Sequence, residues 1–366
     1  MTAPEDKMGR LPEPREDLGV REGYHSTQVD VEVRLNTNES PFPPPPEWYA
    51  ALGEAIEHTE FHRYPDRGAT ELRRRLAEVH GVRPDQVFCA NGSNEVLQSI
   101  CLAYGGAGRV AATFEPTYAM HASIAHLTGT AIVEAPRAED YSLDLRVVAD
   151  VLAGHRPHIT FLCSPNNPTG MIDDPSTVRQ VLEAAPGLVV VDEAYGQFAD
   201  WSAMELVDDE TPLVVTRTFS KTWSLAGLRL GYVVGPAPVI AMLDRVALPY
   251  HLDVIKQQAG ILALRYNDQM QERVSTLVRE RQRLAAGLGR LPVTVWPSQA
   301  NFILFRPDTR KGSEVWQELV DRSVLVRDTA TWPGLGGCLR VTVGTPVEND
   351  RFLEALGEVL GRGGSA

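Results

Sequence analysis

The sequence predicts an α/β protein with a mostly parallel central sheet flanked by helices, plus a smaller α+β domain. From about residue 86 to residue 235, short apolar runs typical of strands alternate with helical segments, as in sheets buried on both faces. Beyond residue 293 the pattern changes to short strands with helices near 312–322 and 347–361. The chain has 366 residues, enough for two domains.

The first predicted unit is an N-terminal arm over residues 1–46, whose first 20 residues are rich in Pro, Glu, Asp and Arg. The arm ends in PFPPPP at 41–46, whose four consecutive prolines lack backbone donors and predict a stiff extended connector. Two helices are expected next, over 47–58 and 69–80, the second ending at Gly81.

A large domain is expected over residues 47–250, built on six apolar strands. These are QVFCA at 86–90, RVAATF at 109–114, HITFLCS at 158–164, GLVVVDEAY at 187–195, PLVVTRTFS at 212–220 and LRLGYVVG at 228–235. The region 236–290 reads as helical and includes a long charged amphipathic stretch at 256–289. A small C-terminal domain over 251–366, joined by part of the N-terminal arm, completes the expected organisation.

Charge and composition exclude several classes of protein. Acidic residues outnumber basic ones by 48 to 35, giving a net charge of −13, which disfavours nucleic acid and anionic membranes as partners. The N-terminus lacks an apolar signal segment, and no apolar run approaches the length of a membrane span, so a cytoplasmic protein is expected. The 4 cysteines form no Cys-x-x-Cys pair, and Cys89, Cys101 and Cys163, which lie in apolar runs, are expected to be reduced core residues.

Polar side chains cluster where the predicted strands end, and the carboxyl ends of parallel strands are where open α/β sheets bind ligands. One such residue is commonly a helix cap or turn, but five strand ends in register favour a binding site. The residues are Ser93 and Asn94, Tyr118, Asn167, Asp192 and Tyr195, and Ser220 and Lys221.

Three of these features match what pyridoxal 5'-phosphate requires. Lys221 follows an apolar strand, where burial lowers the pKa of an amine and makes it a nucleophile toward aldehydes. Asp192 ends a strand of five apolar residues, and a desolvated carboxylate there requires a cationic partner such as a protonated pyridine nitrogen. The NGSN turn opening a helix at 91–94, with Arg229, offers an anion site for the phosphate.

Several motifs extend this interpretation to a family. SPNNPTG at 164–170, DEAY at 192–195, SKTWSLAGLRLGY at 220–232 and LRVTVGT at 339–345 together resemble the fold-type I aminotransferases of the aspartate aminotransferase superfamily. Finer features are similar to the histidinol-phosphate aminotransferase branch: RLNTNESPFPPP from residue 34, RYPD, NGSNE, EPTYAMH, ANFILFR, and LVRD followed by GCLRVTVGTPVEND. The resemblance covers about residues 20–360 and implies the fold of PLP-dependent transferases of type I.

The resemblance implies cofactor roles for ten residues. Lys221 would form the Schiff base and carry the α-proton, and Asp192 would face the pyridinium nitrogen. Asn167 and Tyr195 would hydrogen-bond the ring hydroxylate, and Tyr118 would stack on the ring. The phosphate would be held by Ser93, Asn94, Ser220 and Arg229, together with Tyr64 from the neighbouring subunit. This last contact implies a homodimer with shared active sites.

Four further residues would bind substrate. Arg340 would grip a carboxylate, Arg327 would bind a substrate phosphate or the distal carboxylate of a donor, and Tyr24 and Asn38 would line the substrate side. Plainer interpretations remain open: Tyr64 as a surface turn tyrosine, Arg327 as a solvated charge at a strand end, and Tyr118 as a core aromatic. His58, His62, His121 and His126 show no ligand spacing and are expected to be ordinary surface or helix residues.

The resemblance implies a ping-pong transamination between L-histidinol phosphate and 2-oxoglutarate that yields imidazole-acetol phosphate and L-glutamate, a step of histidine biosynthesis. Other possibilities are an aromatic or otherwise specialised aminotransferase, a decarboxylase of a phosphorylated amino acid, and a non-catalytic regulator that binds the cofactor. Two departures from the family pattern stand near the substrate: Ser40 in the NES segment, and the bulky Trp332 in the loop between Arg327 and Arg340.

Overall fold

The computed structural model describes residue 15 and residues 28–361. Its strands are β1 (Val33–Leu35), β2 (Val87–Ala90), β3 (Val110–Glu115), β4 (Ala131–Pro136), β5 (Ile159–Cys163), β6 (Leu188–Asp192), β7 (Leu213–Thr218), β8 (Gly231–Val234), β9 (Val293–Val295), β10 (Phe302–Pro307), β11 (Val324–Asp328) and β12 (Leu339–Thr342). Its helices are α1 (Pro46–Glu57), α2 (Thr70–His80), α3 (Ser93–Tyr104), α4 (Met120–Leu127), α5 (Leu145–His155), α6 (Pro175–Ala184), α7 (Ala237–Val246), α8 (Val254–Leu264), α9 (Asn267–Leu288), α10 (Gly312–Val320) and α11 (Pro346–Gly361).

Seven strands form a large sheet in the order β2-β8-β7-β6-β5-β3-β4. Strand β8 runs antiparallel to both of its neighbours, and the remaining pairs in this sheet are parallel. The predicted α/β class, with a mostly parallel central sheet flanked by helices, is therefore confirmed. Strands β2, β3, β5, β6 and β7 all point the same way, so the residues that follow them meet at one edge of the sheet.

Both faces of the large sheet are buried, which explains its continuous apolar strands. Val190 faces a core shared with α3, α4 and α7, whereas its neighbour Val189 faces a core shared with α5 and α6. Because successive side chains of a strand point to opposite faces, a strand covered on both sides must be apolar throughout. The sheet is therefore a rigid platform for the polar residues at its edge.

The small sheet has the order β1-β11-β12-β10-β9, with β1 and β11 parallel and the other pairs antiparallel. Strand β1 belongs to the N-terminal arm, so the arm contributes directly to the small sheet. Helix α9 packs on α11 and β10, while α8 packs on α1 and α2 of the large unit. The exact domain boundaries stay a prediction.

Strands β1 and β4 and helices α5 and α6 were absent from the sequence prediction, and one helical stretch was divided differently. Strand β4 lies at the edge of the sheet with a mostly exposed side-chain pattern, so it lacks a continuous apolar run. Helices α5 and α6 begin at side-chain caps, in which Asp144 and Asp174 accept hydrogen bonds from backbone amides two residues ahead. The helical stretch expected at 256–289 is divided between α8 and α9.

The proline connector leads directly into a helix. Pro46 is the first residue of α1, where a proline costs no backbone hydrogen bond. Among the helices of the described ranges, we find none with the length and apolar character needed to cross a membrane.

Candidate active site

A cavity of about 360 Å³ opens at the edge where the parallel strands end. It brings together eleven residues singled out from the sequence. They are Asn38, Ser93, Asn94, Tyr118, Asn167, Asp192, Tyr195, Ser220, Lys221, Arg229 and Arg340. The sheet topology accounts for this convergence, because most of these residues follow its parallel strands.

Two of the predicted residues are placed elsewhere, and a third is not among the residues that the structure describes. Tyr64 is 80% exposed and stacks on Tyr250, with ring centroids 4.5 Å apart. Arg327 is paired with Arg340 across β11 and β12, but it does not line the cavity. Tyr24 lies outside the described residues.

One part of the wall forms a cationic cradle, here called the anion cup and defined by Ser93, Asn94, Ser220 and Arg229. Helix α3 begins at Ser93, and its N-cap is Gly92 rather than a side-chain cap. The hydroxyl of Ser93 therefore remains in the cavity wall with the positive end of the helix dipole. Arg229 donates a hydrogen bond from Nη1 to Ser220 Oγ at 3.2 Å.

The cup depends on close backbone packing behind it. A Cβ on Gly231 of β8 would lie 2.3 Å from the amide nitrogen of Ser93. A Cβ on Gly92, whose φ is +83°, would lie 2.8 Å from Nη2 of Arg229. Glycine at both positions lets the strand, the helix end and the guanidinium approach one another closely.

Asp192 is the buried carboxylate of the cavity, with 1% of its surface exposed. Its Oδ1 accepts hydrogen bonds from the Ala194 amide at 3.1 Å and the Thr216 hydroxyl at 3.2 Å. Its Oδ2 accepts one from His121 Nε2 at 3.0 Å. These three hydrogen bonds fix the direction of the carboxylate in the cavity wall.

His121 corrects the expectation of an ordinary surface or helix residue. It is fully buried, stacks on Phe161 at 4.9 Å between ring centroids, and packs edge-on against Tyr118 at 5.4 Å. Its contact with Asp192 joins residues 71 positions apart, which spacing within the sequence does not reveal. The available indication was local: His121 follows Tyr118 by three residues, at the start of α4.

Lys221 follows β7 and donates a hydrogen bond from Nζ to the Thr37 carbonyl at 3.0 Å. Burial, with the nearby guanidinium groups of Arg340 and Arg229, lowers the pKa of Lys221 to about 7, although the Glu39 carboxylate opposes the shift. A substantial fraction of this amine is therefore neutral and nucleophilic at neutral pH.

Tyr195 and Asn38 form a hydrogen-bonded pair above the lysine. Asn38 Nδ2 donates to the Tyr195 hydroxyl at 2.9 Å, and Thr342 of β12 donates to Asn38 Oδ1 at 3.1 Å. Burial raises the pKa of Tyr195 above its usual range, so its hydroxyl stays protonated. The ring of Tyr195 lies 5.7 Å from Lys221 Nζ.

Arg340 of β12 brings a guanidinium from the small sheet to the cavity, with 3% of the residue exposed. Its Nη1 donates to Asn167 Oδ1, and its Nη2 donates to the Asn36 carbonyl at 2.9 Å. Asn167 is thus bonded to the small-sheet arginine while lying in the turn after β5. This contact links the two sheets at the cavity.

The cavity therefore combines an anion cup, a buried carboxylate, an amine with a lowered pKa and the buried guanidinium of Arg340. An anion cup fits a phosphate, and the carboxylate fits a protonated ring nitrogen. The amine fits an aldehyde, and the guanidinium fits a further carboxylate or phosphate.

A family model described as "Aminotransferase class I and II" matches residues 30–356. The chain belongs to this family, and the predicted class of enzyme is confirmed. A histidinol-phosphate aminotransferase of Corynebacterium diphtheriae is 41% identical over 355 residues, covering 94% of this chain and 96% of that protein. One of Frankia casuarinae is 45% identical over 361 residues, covering 94% and 90%.

A solved structure has the same fold. The crystal structure of histidinol-phosphate aminotransferase from Sinorhizobium meliloti in complex with pyridoxal-5'-phosphate superposes with a TM-score of 0.82 at 25% identity. The match covers 91% of this chain and 92% of that one.

Proposed function

We propose that this enzyme transfers the amino group of L-histidinol phosphate to 2-oxoglutarate, giving imidazole-acetol phosphate and L-glutamate. The observation that carries the proposal is the single cavity that holds Lys221, Asp192, the anion cup and Arg340. Curated relatives at 41% and 45% identity over nearly the whole chain bear the name of this activity. The predicted place in histidine biosynthesis follows from the same names.

Pyridoxal 5'-phosphate fits this cavity. The anion cup would hold its phosphate, the Asp192 carboxylate would accept a hydrogen bond from its protonated ring nitrogen, and Lys221 would meet its aldehyde. The close contacts at Gly231 and Gly92 support this fit, because a side chain at either position would collide with atoms that form the cup. When bound, the cofactor supplies an electron sink for the electron pair left on the substrate carbon after deprotonation.

The residues around the ring divide the remaining work. Asp192, fixed by His121 and Thr216, keeps the ring nitrogen protonated. Tyr195 and Asn167 would donate hydrogen bonds to the ring oxygen of the bound cofactor, and Tyr118 would cover its ring. Tyr118 is held by donating its own hydroxyl hydrogen to Asn94 Oδ1 at 3.0 Å.

Proton transfer falls to Lys221. Its Nζ, neutral near pH 7, accepts the proton that leaves the α-carbon of the amino donor and later returns a proton to the acceptor carbon. One amine therefore serves both half-reactions, as ping-pong transamination requires.

Substrate anions are assigned to the arginines of the small sheet. Arg340 reaches the cavity and binds the carboxylate of glutamate or the phosphate of histidinol phosphate, since the guanidinium fork matches both groups. Arg327, paired with it across β11 and β12, is the second anion-binding residue. Asn38 and Tyr24 remain assigned to the substrate side.

We further propose that two copies form a homodimer with shared active sites. Tyr64 and Leu248 are 80% and 75% exposed, and Phe61 and Tyr250 add aromatic surface beside them. An exposed apolar patch of this kind favours burial against another protein surface. In this arrangement Tyr64 does not contribute to the cavity of its own chain. It reaches the cofactor phosphate in the active site of the partner.

The cytoplasm is the proposed location. Its support is that all 4 cysteines are buried free thiols, as expected in a reducing compartment.

The proposed reaction is tested by measuring glutamate formed from 2-oxoglutarate with histidinol phosphate or phenylalanine as donor. We expect turnover with histidinol phosphate and its loss in Lys221→Ala, whereas Lys311→Ala, which changes an exposed lysine, keeps full activity. Turnover with phenylalanine alone would support the assignment as a transaminase but would show that histidinol phosphate is not its substrate. Undiminished turnover by Lys221→Ala would refute the mechanism.

A further inference from the structure

Trp332 is a large aromatic residue of the cavity wall to which the mechanism above assigns no role. It lies in the loop between β11 and β12 and lines the same cavity as Lys221 and Arg340. A half-buried indole at a substrate cavity either fills space or acts on a neighbour, and its contacts distinguish these two roles.

The loop that carries Trp332 is held firmly. The Trp332 amide donates to the Thr329 carbonyl at 3.0 Å, and the Leu335 amide donates to the Trp332 carbonyl at 3.1 Å. From the large domain, the Tyr141 hydroxyl donates to the Gly334 carbonyl at 3.2 Å. Leu335 is fully buried beneath the loop. The indole is therefore presented from a fixed backbone.

The contact that matters is with Arg340. The guanidinium carbon of Arg340 lies 5.9 Å from the Trp332 ring centroid and 5.0 Å from that of Phe302. A guanidinium within about 6 Å of an aromatic ring is attracted to its face, most strongly for tryptophan. Phe302 is completely buried, whereas Trp332 borders the cavity. Trp332 is therefore the ring that contacts this guanidinium from the cavity wall.

We propose that Trp332 is a positioning residue for the substrate's anionic group. Its indole fixes the Arg340 guanidinium and excludes water from it, which strengthens the pairing of Arg340 with a carboxylate or phosphate. The inference rests on the proposed function in one respect, the assignment of Arg340 to the substrate anion. The cofactor phosphate is held by the separate anion cup and is independent of Trp332.

The test compares Trp332→Leu and Trp332→Phe in the cofactor-loaded protein. Calorimetry measures the affinity for succinate, an unreactive dicarboxylate, and steady-state kinetics measure KM and kcat for 2-oxoglutarate and histidinol phosphate. We expect Trp332→Leu to weaken succinate binding and raise both KM values about fivefold, with Trp332→Phe losing about twofold. The kcat values and the affinity for pyridoxal phosphate stay unchanged, because binding of the anion is weakened equally in ground and transition states.

Trp201 provides the control. It is a half-buried tryptophan that packs against a separate core of the large sheet and does not line the cavity, so Trp201→Leu leaves succinate affinity intact. Unchanged succinate affinity in Trp332→Leu would overturn the proposal, as would a parallel loss of cofactor affinity or an equal loss in Trp201→Leu. The succinate measurement decides this even if histidinol phosphate proves not to be the substrate, which the turnover of the unmodified enzyme reveals separately.

Discussion

At the scale of single residues, the cavity places charged groups where protein rather than water determines their state. Lys221 has two guanidinium groups nearby and little solvent, and its pKa falls to about 7. Asp192 has the opposite surroundings, with three hydrogen-bond donors directed at its carboxylate. Lys221, with which a cofactor would react, and Asp192, which would hold its ring, therefore have their surroundings set before a cofactor binds.

The lowered pKa of Lys221 has a direct kinetic consequence. We expect the rate at which cofactor-free protein combines with pyridoxal phosphate to rise with pH through about 7, because only the deprotonated amine attacks an aldehyde. Stopped-flow absorbance across the neutral range measures this rate. A rate that rises only near the ordinary lysine pKa of about 10 would show that burial does not act on this amine.

His121 is expected to act through Asp192 on the cofactor. Replacing His121 by Ala removes a hydrogen bond to a buried carboxylate, a loss of about 1.5–3 kcal/mol, so the affinity for pyridoxal phosphate falls by about tenfold or more. Equilibrium titration of absorbance measures this affinity. His126→Ala, on the same helix but outside the cavity wall, should bind the cofactor normally. Equal affinity for pyridoxal phosphate in the two variants would show that His121 does not contribute to cofactor binding.

Which residues could be found from the sequence follows from where they lie. Lys221 and Asp192 were identifiable because each is a charged residue directly after an apolar strand, a placement that demands a partner. His121 was missed because its partner is 71 residues further along the chain. Trp332 was noted only for its bulk, since its contact with Arg340 depends on how a loop folds back over a strand.

At the scale of elements, a strand could be predicted from the sequence when both of its faces are buried. Strands covered on both faces, such as β5 and β6, carry unbroken apolar runs and were predicted with ends within a few residues. The edge strand β4 carries a mixed pattern and was missed, and the three-residue β1 is too short to show any pattern. Helices α5 and α6 begin at the caps formed by Asp144 and Asp174. The sequence shows an aspartate at each position, but not that its side chain accepts a hydrogen bond from the helix backbone.

The junction between β8 and α3 is expected to tolerate no side chain. In Gly231→Ala, the new Cβ would meet the backbone of Gly92 and Ser93, so we expect a loss of about 1–3 kcal/mol in unfolding free energy and weaker cofactor binding. Denaturant titration with cofactor titration measures both.

Gly53→Ala is the control for that substitution. Gly53 lies inside α1 with open space around it, so alanine there should stabilise the protein by about 0.5–1 kcal/mol. If the two variants were equally stable, the close approach at Gly231 would not be a constraint.

At the scale of the whole molecule, the cavity is completed by both sheets. Arg340 and Thr342 come from the small sheet, while Lys221 and Asp192 come from the large one. Contacts such as Arg340 with Asn167 join the two sheets at the site. The sequence located both sets of residues by motif, but their meeting in one cavity depends on the packing of the two units, which local patterns do not encode.

The proposed dimer is tested at the exposed patch around Tyr64. Leu248→Arg places a charge in that patch, so we expect the dimer to dissociate and turnover to fall, because each site would lose the tyrosine of its partner. Val347→Arg changes a residue of similar exposure, 77% against 75% for Leu248, on α11, and should leave the dimer intact. Light scattering coupled to size exclusion reports the mass of each variant. A monomeric unmodified protein with full activity would contradict shared sites.

The central claim is that one cavity performs both halves of an amino-group transfer through Lys221. The most direct measurement is a single-turnover absorbance spectrum of the cofactor-loaded protein with histidinol phosphate, glutamate and phenylalanine in separate cuvettes. We expect histidinol phosphate and glutamate each to convert the bound cofactor to its amino form, and Lys221→Ala to show no such conversion. Conversion by phenylalanine alone would contradict the proposed substrate, and the absence of any cofactor band in the loaded protein would contradict the site itself.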